Sequence, residues 1–293
     1  MGNEIGGAAD GGPRWVFVGG TGRSGTSITA EALARTGAVT YVPTELRFHV
    51  DPGGLLDLAN GDVPLKKFRQ RMLGPWFERS LRDGSTRGIS RYITREAVQE
   101  VLDAPQPLAE GPRRAAARIW NELTTAMFGD GRIVEMTPPT MMRADELSRM
   151  LDHRALMINV VRDGRDVAFS LVRRRWGPDD AVTGLHWWAN RIRRADQALR
   201  LCRAPALTVQ LAELADETAR GAWAARLSEH LGGVSEGDMA AALSILSPAE
   251  LKSGRWRSEA PVELRATVDR VYSELWRELR ADGVTGLPHP PDD

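Results

Sequence analysis

The stretch from Trp15 to Leu33, WVFVGGTGRSGTSITAEAL, constrains the fold of this chain more than any other. It opens on an apolar run of β-formers, Trp15 to Val18, and passes through Gly19, Gly20, Gly22 and Gly25. A helical pattern follows, with Ile28, Ala32 and Leu33 on one side and Glu31 and Arg35 on another. Strand, glycine-rich turn and helix make a cradle for an anion. Glycines let successive backbone N–H groups converge on one point, and the helix N-terminus adds partial positive charge. Gly20 to Ser27 has P-loop spacing, but Thr26 stands where a nucleotide hydrolase carries lysine. Arg23, Ser24, Thr26 and Ser27 crowd anion donors into the turn, which a merely tight connection does not need.

The rest of the chain supports an α/β reading. Its 293 residues, 42% of them apolar, suffice for one large domain with a helical elaboration. Val39 to Val42 reads as a second strand closed by Pro43, and Asp51 to Gly54 as a turn. Leu65 to Leu81 has helical spacing, interrupted near Gly74-Pro75. Arg95 to Leu102 and Pro112 to Phe128 are helices separated by Pro105 and Pro107, so residues 55–130 form a helical insertion. Arg132 to Glu135 returns to the sheet, Pro138-Pro139 stops it, and Met141 to Leu151 is helical. Ala155 to Val161, ALMINVV, reads as a buried strand and runs through Arg162 to Asp166 into a helix. Helices are expected over Ala181 to Cys202, Glu217 to Leu231, Met239 to Leu246 and Pro261 to Leu279, with a last strand over Ala206 to Leu211. Alternating strands and helices predict a parallel sheet covered on both faces, with ligands beyond the strands' C-terminal ends. A single domain over residues 14–284 is expected, between a disordered tail at 1–13 and a flexible one at 285–293.

Composition excludes some partners. Lysine plus arginine and aspartate plus glutamate both number 39, so nothing in the charge balance favours nucleic acid or an anionic membrane. Only Lys66, Lys67 and Lys252 are lysines, and the arginine-heavy usage reads as bacterial. One cysteine, Cys202, allows no internal disulfide and fits a reducing, cytoplasmic setting; it reads as a packed small hydrophobe. Residues 1–13 lack the basic start and apolar segment of a secretion signal, and no apolar run reaches the length of a membrane span.

Four loops gather at strand ends: Gly20 to Ser27, Thr44 to His49, Glu135 to Pro139 and Arg162 to Ser170. A fifth, basic loop spans Lys252 to Arg257. Two anion-binding clusters and one carboxylate suggest a cofactor with two separated phosphate-like groups plus a proton acceptor. In these patches, from Trp15 to about Arg257, the chain resembles the sulfotransferases that use 3′-phosphoadenosine-5′-phosphosulfate. The resemblance implies a P-loop NTPase-like sulfotransferase fold. It implies that Gly22, Arg23, Ser24, Gly25, Thr26 and Ser27 hold the 5′-phosphosulfate, with Arg23 also stabilising the leaving phosphate. Arg162 and Ser170 match the family's 3′-phosphate pair, and Lys252, Ser253, Gly254, Arg255 and Trp256 the loop that closes over it. Val209 to Leu214 matches the family's late strand leading into a short helix.

Glu45 occupies the place of the general base in the tyrosylprotein and carbohydrate branches, with His49 as the competing base. A loop carboxylate paired with Arg47 is the plainer reading of Glu45. Arg47, Phe48, His49 and Thr137 are candidates for the acceptor side. Relatives carry lysine where Met136 stands, so a second cation on the sulfuryl group is missing or comes from elsewhere. Trp187-Trp188 reads as core, with an indole at the site as the alternative. Arg173 to Arg175 read as a solvated helix end, with Arg174 or Arg175 near the nucleotide as the alternative. The implied reaction is sulfuryl transfer to a small-molecule hydroxyl, a secondary metabolite or sugar, without a metal and with adenosine 3′,5′-bisphosphate as product. The aromatics Phe48, Trp76, Phe77 and Trp120 suit an apolar acceptor and serve equally as core. A P-loop kinase using ATP and Mg²⁺ and a non-catalytic nucleotide-binding protein are the competing readings. Oligomeric state stays open.

Overall fold

The computed structural model describes residues 12–80, 86–104 and 111–291. Expectations for residues 1–11, for Leu81, for the separating Pro105 and Pro107 and for residues 292–293 lie outside the described residues. Strands β1 (Trp15–Gly20), β2 (Thr40–Tyr41), β5 (Ile133–Glu135), β6 (Ala155–Val161) and β7 (Ala206–Gln210) form one parallel sheet in the order β2-β5-β1-β6-β7. Strands β3 (Arg79–Ser80) and β4 (Thr86–Arg87) pair antiparallel in a separate two-stranded sheet. Helices α1 (Thr26–Ala34), α2 (Leu55–Asn60), α3 (Leu65–Met72), α4 (Arg95–Asp103), α5 (Pro112–Phe128) and α6 (Ala144–Met150) belong to the first half. The second half contributes α7 (Gly164–Val172), α8 (Ala181–Leu201), α9 (Leu211–Ala215), α10 (Glu217–Leu231) and α11 (Glu236–Leu243). It ends with α12 (Pro248–Leu251), α13 (Trp256–Glu259) and α14 (Val262–Ala281).

Every residue of β1 and β6 is buried, as the central strands of a sheet covered on both faces require. The side chains sort with a period of two. Trp15, Phe17, Ala155 and Met157 face a layer built by α2, α5, α6 and part of α8. Val16, Val18, Leu156, Ile158 and Val160 face α1, α10 and α11. A third apolar cluster joins α7, α8 and α14 beyond the end of β6. The chain therefore leaves β1 towards α1 on one side and leaves β6 towards α7 on another, which opens a crevice between the two strand ends. The expected α/β architecture is the observed one.

Local differences have local causes. The spacing from Leu65 continues past Gly74, but the helix stops at Met72 and residues 79–80 turn into β3. Pro138 and Pro139 end the strand segment and also open a 3-10 turn over Pro138–Arg143, so α6 begins only at Ala144. Phe48, Phe77 and Trp120 are core residues, and Trp76 packs against the same cluster, so these aromatics line the hydrophobic layer. Cys202 packs half-buried against that layer, and burial pushes its thiol up. The expected C-terminal tail is tied down at its start: Thr285 N and Oγ1 each donate to Asp196 Oδ1 at 2.9 Å, and Trp276 Nε1 donates to the Pro288 carbonyl at 3.0 Å.

Gly25, which caps α1 at φ 92°, leaves no room for a side chain, since a Cβ there lies 2.7 Å from both Leu211 methyls. Gly37 shares a positive φ but faces open space. Gly25→Ala is expected to lower stability by about 1–3 kcal/mol in urea unfolding, and Gly37→Ala by roughly 1 kcal/mol or less. Equal losses would show that Leu211 does not brace the loop.

Candidate active site between the ends of β1 and β6

The turn after β1 is built from left-handed backbone. Gly22, Arg23 and Gly25 have φ of 82°, 59° and 92°. Such a turn points N–H groups at a common centre. Among the described residues no side chain caps the N-terminus of α1, so its first-turn N–H groups stay available to an anion. Arg23 adopts this region without being glycine, at a cost of roughly 1–2 kcal/mol. Two contacts hold it there: Arg23 Nε donates to Ser170 Oγ at 3.0 Å, and Arg162 Nη1 donates to the Arg23 carbonyl at 3.4 Å. Ser24 is buried, and its Oγ has no hydrogen-bond partner among the described residues. Thr26 is also buried, whereas Ser27 is exposed and donates to Met136 Sδ at 3.4 Å.

The second cluster follows β6. Asp163 caps α7 by accepting from Arg165 N at 2.8 Å, which fixes the helix start behind Arg162. Arg162 Nη2 donates to the carbonyls of Leu251 at 2.7 Å and Lys252 at 3.1 Å and reaches Asp166 Oδ2 at 3.3 Å. Asp166 accepts from Gly254 N at 2.9 Å and Trp256 N at 3.2 Å. Arg162 and Asp166 together clip the late basic loop onto α7. Arg23, Arg162, Ser170, Lys252, Arg255 and Trp256 then line one cavity of about 410 Å³, with Phe169, Arg173 and Arg174 beside them. Ser253 and Arg175 are not among its lining residues. Trp256 offers little surface: its indole is 2% exposed, with Arg165 stacked 4.8 Å from the ring centre. Glu259 pairs with both Arg173 and Arg255, yet positive charge dominates. Burial, and then Arg174, Arg162 and Arg173, push the Arg23 guanidinium down.

The loop after β2 carries Glu45 on the surface, its side chain 36% exposed. Its Oε2 accepts from Arg47 Nη1 at 2.7 Å, while Arg47 Nε and Nη2 each bond Asp51 at 2.8 Å. The plainer reading of Glu45 as a carboxylate paired with Arg47 is thus what the structure contains. Glu45 also lies near enough to Arg23 and Arg191 to favour their charged forms, which places it beside the anion loop. Beneath it, the buried Glu135 accepts from Leu46 N at 3.2 Å and Thr137 N at 3.0 Å, and from the Thr137 hydroxyl. Thr137 Oγ1 accepts in turn from Arg47 N at 3.4 Å. Thr137 therefore supports the loop from below and is fully buried. Phe48 and His49, candidates for the acceptor side, are also fully buried. His49 packs 5.1 Å from the Trp120 ring centre and bonds Thr140 Oγ1 at 2.9 Å. Burial pushes it down to about 3, so it sits neutral in the core and reaches no acceptor as a base.

Three contributors escaped the sequence reading. Asp166 closes the stretch Arg162 to Asp166 and Glu135 opens the loop Glu135 to Pro139, where carboxylate spacing alone gives no hint of backbone partners. Arg191 is one arginine among many. It lies on α8 one turn after Trp187, whose indole edge meets Gly22, while Trp188 is core beneath Gly164.

Burial pushes Glu135 up to about 7. Between its ordinary value of 4.5 and about 7 the unfolded chain ionises this carboxyl while the folded chain keeps the proton. Stability is therefore lost as pH rises through that window. His49, whose Nε2 lies 3.8 Å from Glu135 Oε2, contributes the opposite slope below pH 6.5; because burial keeps it neutral in the fold above about pH 3, that contribution is common to both proteins over the range compared. Between about pH 5 and pH 8 the wild type is expected to lose on the order of 3 kcal/mol relative to Glu135→Gln in urea unfolding. Parallel profiles would contradict the buried neutral carboxyl.

Among the described residues, no helix is long and apolar enough to cross a membrane, and no three His, Cys, Asp or Glu side chains are grouped to hold a metal. No curated protein matches the chain. Residues 13–232 match the model of the sulfotransferase family, a span that takes in the anion loop, Glu45, Arg162 and Ser170 and stops before the Lys252 loop. That span is more than half of the sequence, so the chain belongs to the sulfotransferase family, transferases that move sulfuryl groups.

Proposed function

We propose that this enzyme transfers the sulfuryl group of 3′-phosphoadenosine-5′-phosphosulfate to a hydroxyl of a small molecule. One observation carries the reading. Arg23 and Arg162 lie 139 residues apart in sequence, yet they touch and line the same cavity. A nucleotide with phosphate groups at both ends needs such paired cationic walls, whereas a single phosphate needs only one. The donor fits the residues present: among the described residues, the start of α1, the Ser24 hydroxyl and the buried Arg162 Nε are all polar groups without a hydrogen-bond partner.

The donor supplies an activated sulfuryl group on a phosphate leaving group. The backbone amides around Arg23 to Thr26, with the Arg23 guanidinium, stabilise negative charge at the 5′ end. Ser170, Arg162 and the Lys252–Arg257 loop hold the 3′-phosphate. Arg162 has a second task, because its Nη2 already binds the carbonyls of Leu251 and Lys252, so it both shapes the loop and lends its remaining N–H. Glu45 is the general base. Its Oε2 is held by Arg47, which orients the carboxylate, while Oε1 has no hydrogen bond among the described residues and takes the acceptor proton. The fold of the Thr44–Asp51 loop over Glu135 sets where that oxygen points.

Incubation with the donor and a panel of alcohols and phenols is expected to give products heavier by one SO₃ group. Turnover of ATP with Mg²⁺ and no sulfated product would contradict the reading. Glu45→Gln is expected to lower kcat by about 10²–10⁴-fold while leaving affinity for adenosine 3′,5′-bisphosphate unchanged; an unaltered kcat would remove Glu45 from the base role. Arg162→Ala is expected to weaken binding of that bisphosphate by about 1.5–3 kcal/mol in calorimetry.

A further inference from the structure

Arg191 is a charge at this site with no carboxylate partner among the described residues. Its guanidinium lies 3.9 Å from the centre of the Trp187 ring, and its Nη1 donates to the Thr21 carbonyl at 3.3 Å. Trp187 itself meets Gly22 beside Pro138: a Cβ on Gly22 would lie 3.7 Å from the indole Cη2 and 3.8 Å from Pro138 Cβ. These contacts hold the cation against the first residues of the anion loop. Of the other arginines around the loop, Arg162 has Asp166, Arg173 and Arg255 share Glu259, and Arg47 has Glu45 and Asp51, whereas Arg23 reaches only the Ser170 hydroxyl and Arg174 has no ion pair among the described residues. Among the described residues Arg191 has no ion pair with a carboxylate, and its only hydrogen-bond acceptor is the Thr21 carbonyl. Burial, with Arg194 and Arg47 nearby, pushes it down to about 10, against a smaller opposing pull from Glu45. A half-buried, unpaired guanidinium is costly, and an arriving anion removes that cost.

Position decides which anion. The Arg23 side chain points to Ser170, and Arg162 lies on that side with the Lys252 loop. Arg191 is at the β1 end of the turn, by Thr21 and Gly22, and Glu45 acts on it as it does on Arg23. Met136, under Ser27, offers only a thioether.

We infer that Arg191 binds the sulfuryl group in transit, between the 5′-phosphate and Glu45. The inference rests on the donor reading given above. The acceptor oxygen forms a bond to sulfur and its proton goes to Glu45. The bond from sulfur to the bridging phosphate oxygen breaks, and that oxygen leaves with the electron pair. Arg191 holds the sulfuryl oxygens throughout, its planar fork matched to two of them.

The donor and the bisphosphate product differ by the sulfuryl group alone, so calorimetry with each separates the roles. Arg191→Gln is expected to bind adenosine 3′,5′-bisphosphate within about twofold of wild type, to bind the donor about 10- to 100-fold more weakly, and to lose about 10²-fold in kcat. Arg191→Lys, which keeps the charge and loses the fork, is expected to fall between the two. If Arg191→Gln weakens both nucleotides equally, or neither, the residue is a prop for Thr21 and the inference fails alone. If Arg191→Gln does not fold, an Arg191→Lys protein that binds both nucleotides like wild type and turns over normally overturns it. Wild-type protein that binds neither nucleotide overturns the donor reading itself.

Discussion

The site depends on the pairing of β1 with β6. Six residues run in parallel register, from Trp15 opposite Ala155 to Gly20 opposite Val160. That register delivers the anion loop and Arg162 to the same edge at the same height. It also explains Gly20, because a Cβ there would stand 2.4 Å from the Val160 carbonyl and 2.7 Å from Ser24 Oγ. A side chain at this position would push the loop off the strand. The two connections then diverge to α1 and α7 and leave the crevice into which both clusters project.

Holding several guanidiniums at one crevice has an electrostatic cost, and the structure spreads it. Asp166 is spent on the backbone of the late loop as much as on Arg162, and Glu259 is shared by two arginines. The remaining imbalance favours a multiply charged anion and makes its binding sensitive to salt. The same economy appears under Glu45. Below about pH 7 the buried Glu135 carboxyl keeps its proton, accepts backbone N–H groups from the loop above it and adds no second negative charge beside the exposed carboxylate.

Much of this was legible in the sequence. The long buried strand ALMINVV, the glycine turn after WVFV and the helix from Pro112 to Phe128 coincide with the observed elements because apolar period, glycine and proline act locally. The meeting of Arg23 with Arg162 and Ser170 followed from placing loops at strand ends. What stayed hidden depends on tertiary burial. Phe48 and His49 look like loop residues beside Glu45, but the turn at Arg47, with φ of 56°, swings them into the core against Trp120. Asp166 and Glu135 act on backbone N–H groups that no side-chain spacing announces. Arg191 is lost among similar residues until α8 sets it against Thr21.

The central claim is that one crevice grips both ends of one nucleotide, and a crystal structure with adenosine 3′,5′-bisphosphate tests it most directly. The 5′-phosphate is expected on the amides of the Arg23–Thr26 turn and the 3′-phosphate beside Ser170 and the Lys252–Arg257 loop, with Arg23 and Arg162 both facing the same molecule. A nucleotide that engages only one of these arginines, or that lies outside the crevice, would contradict it.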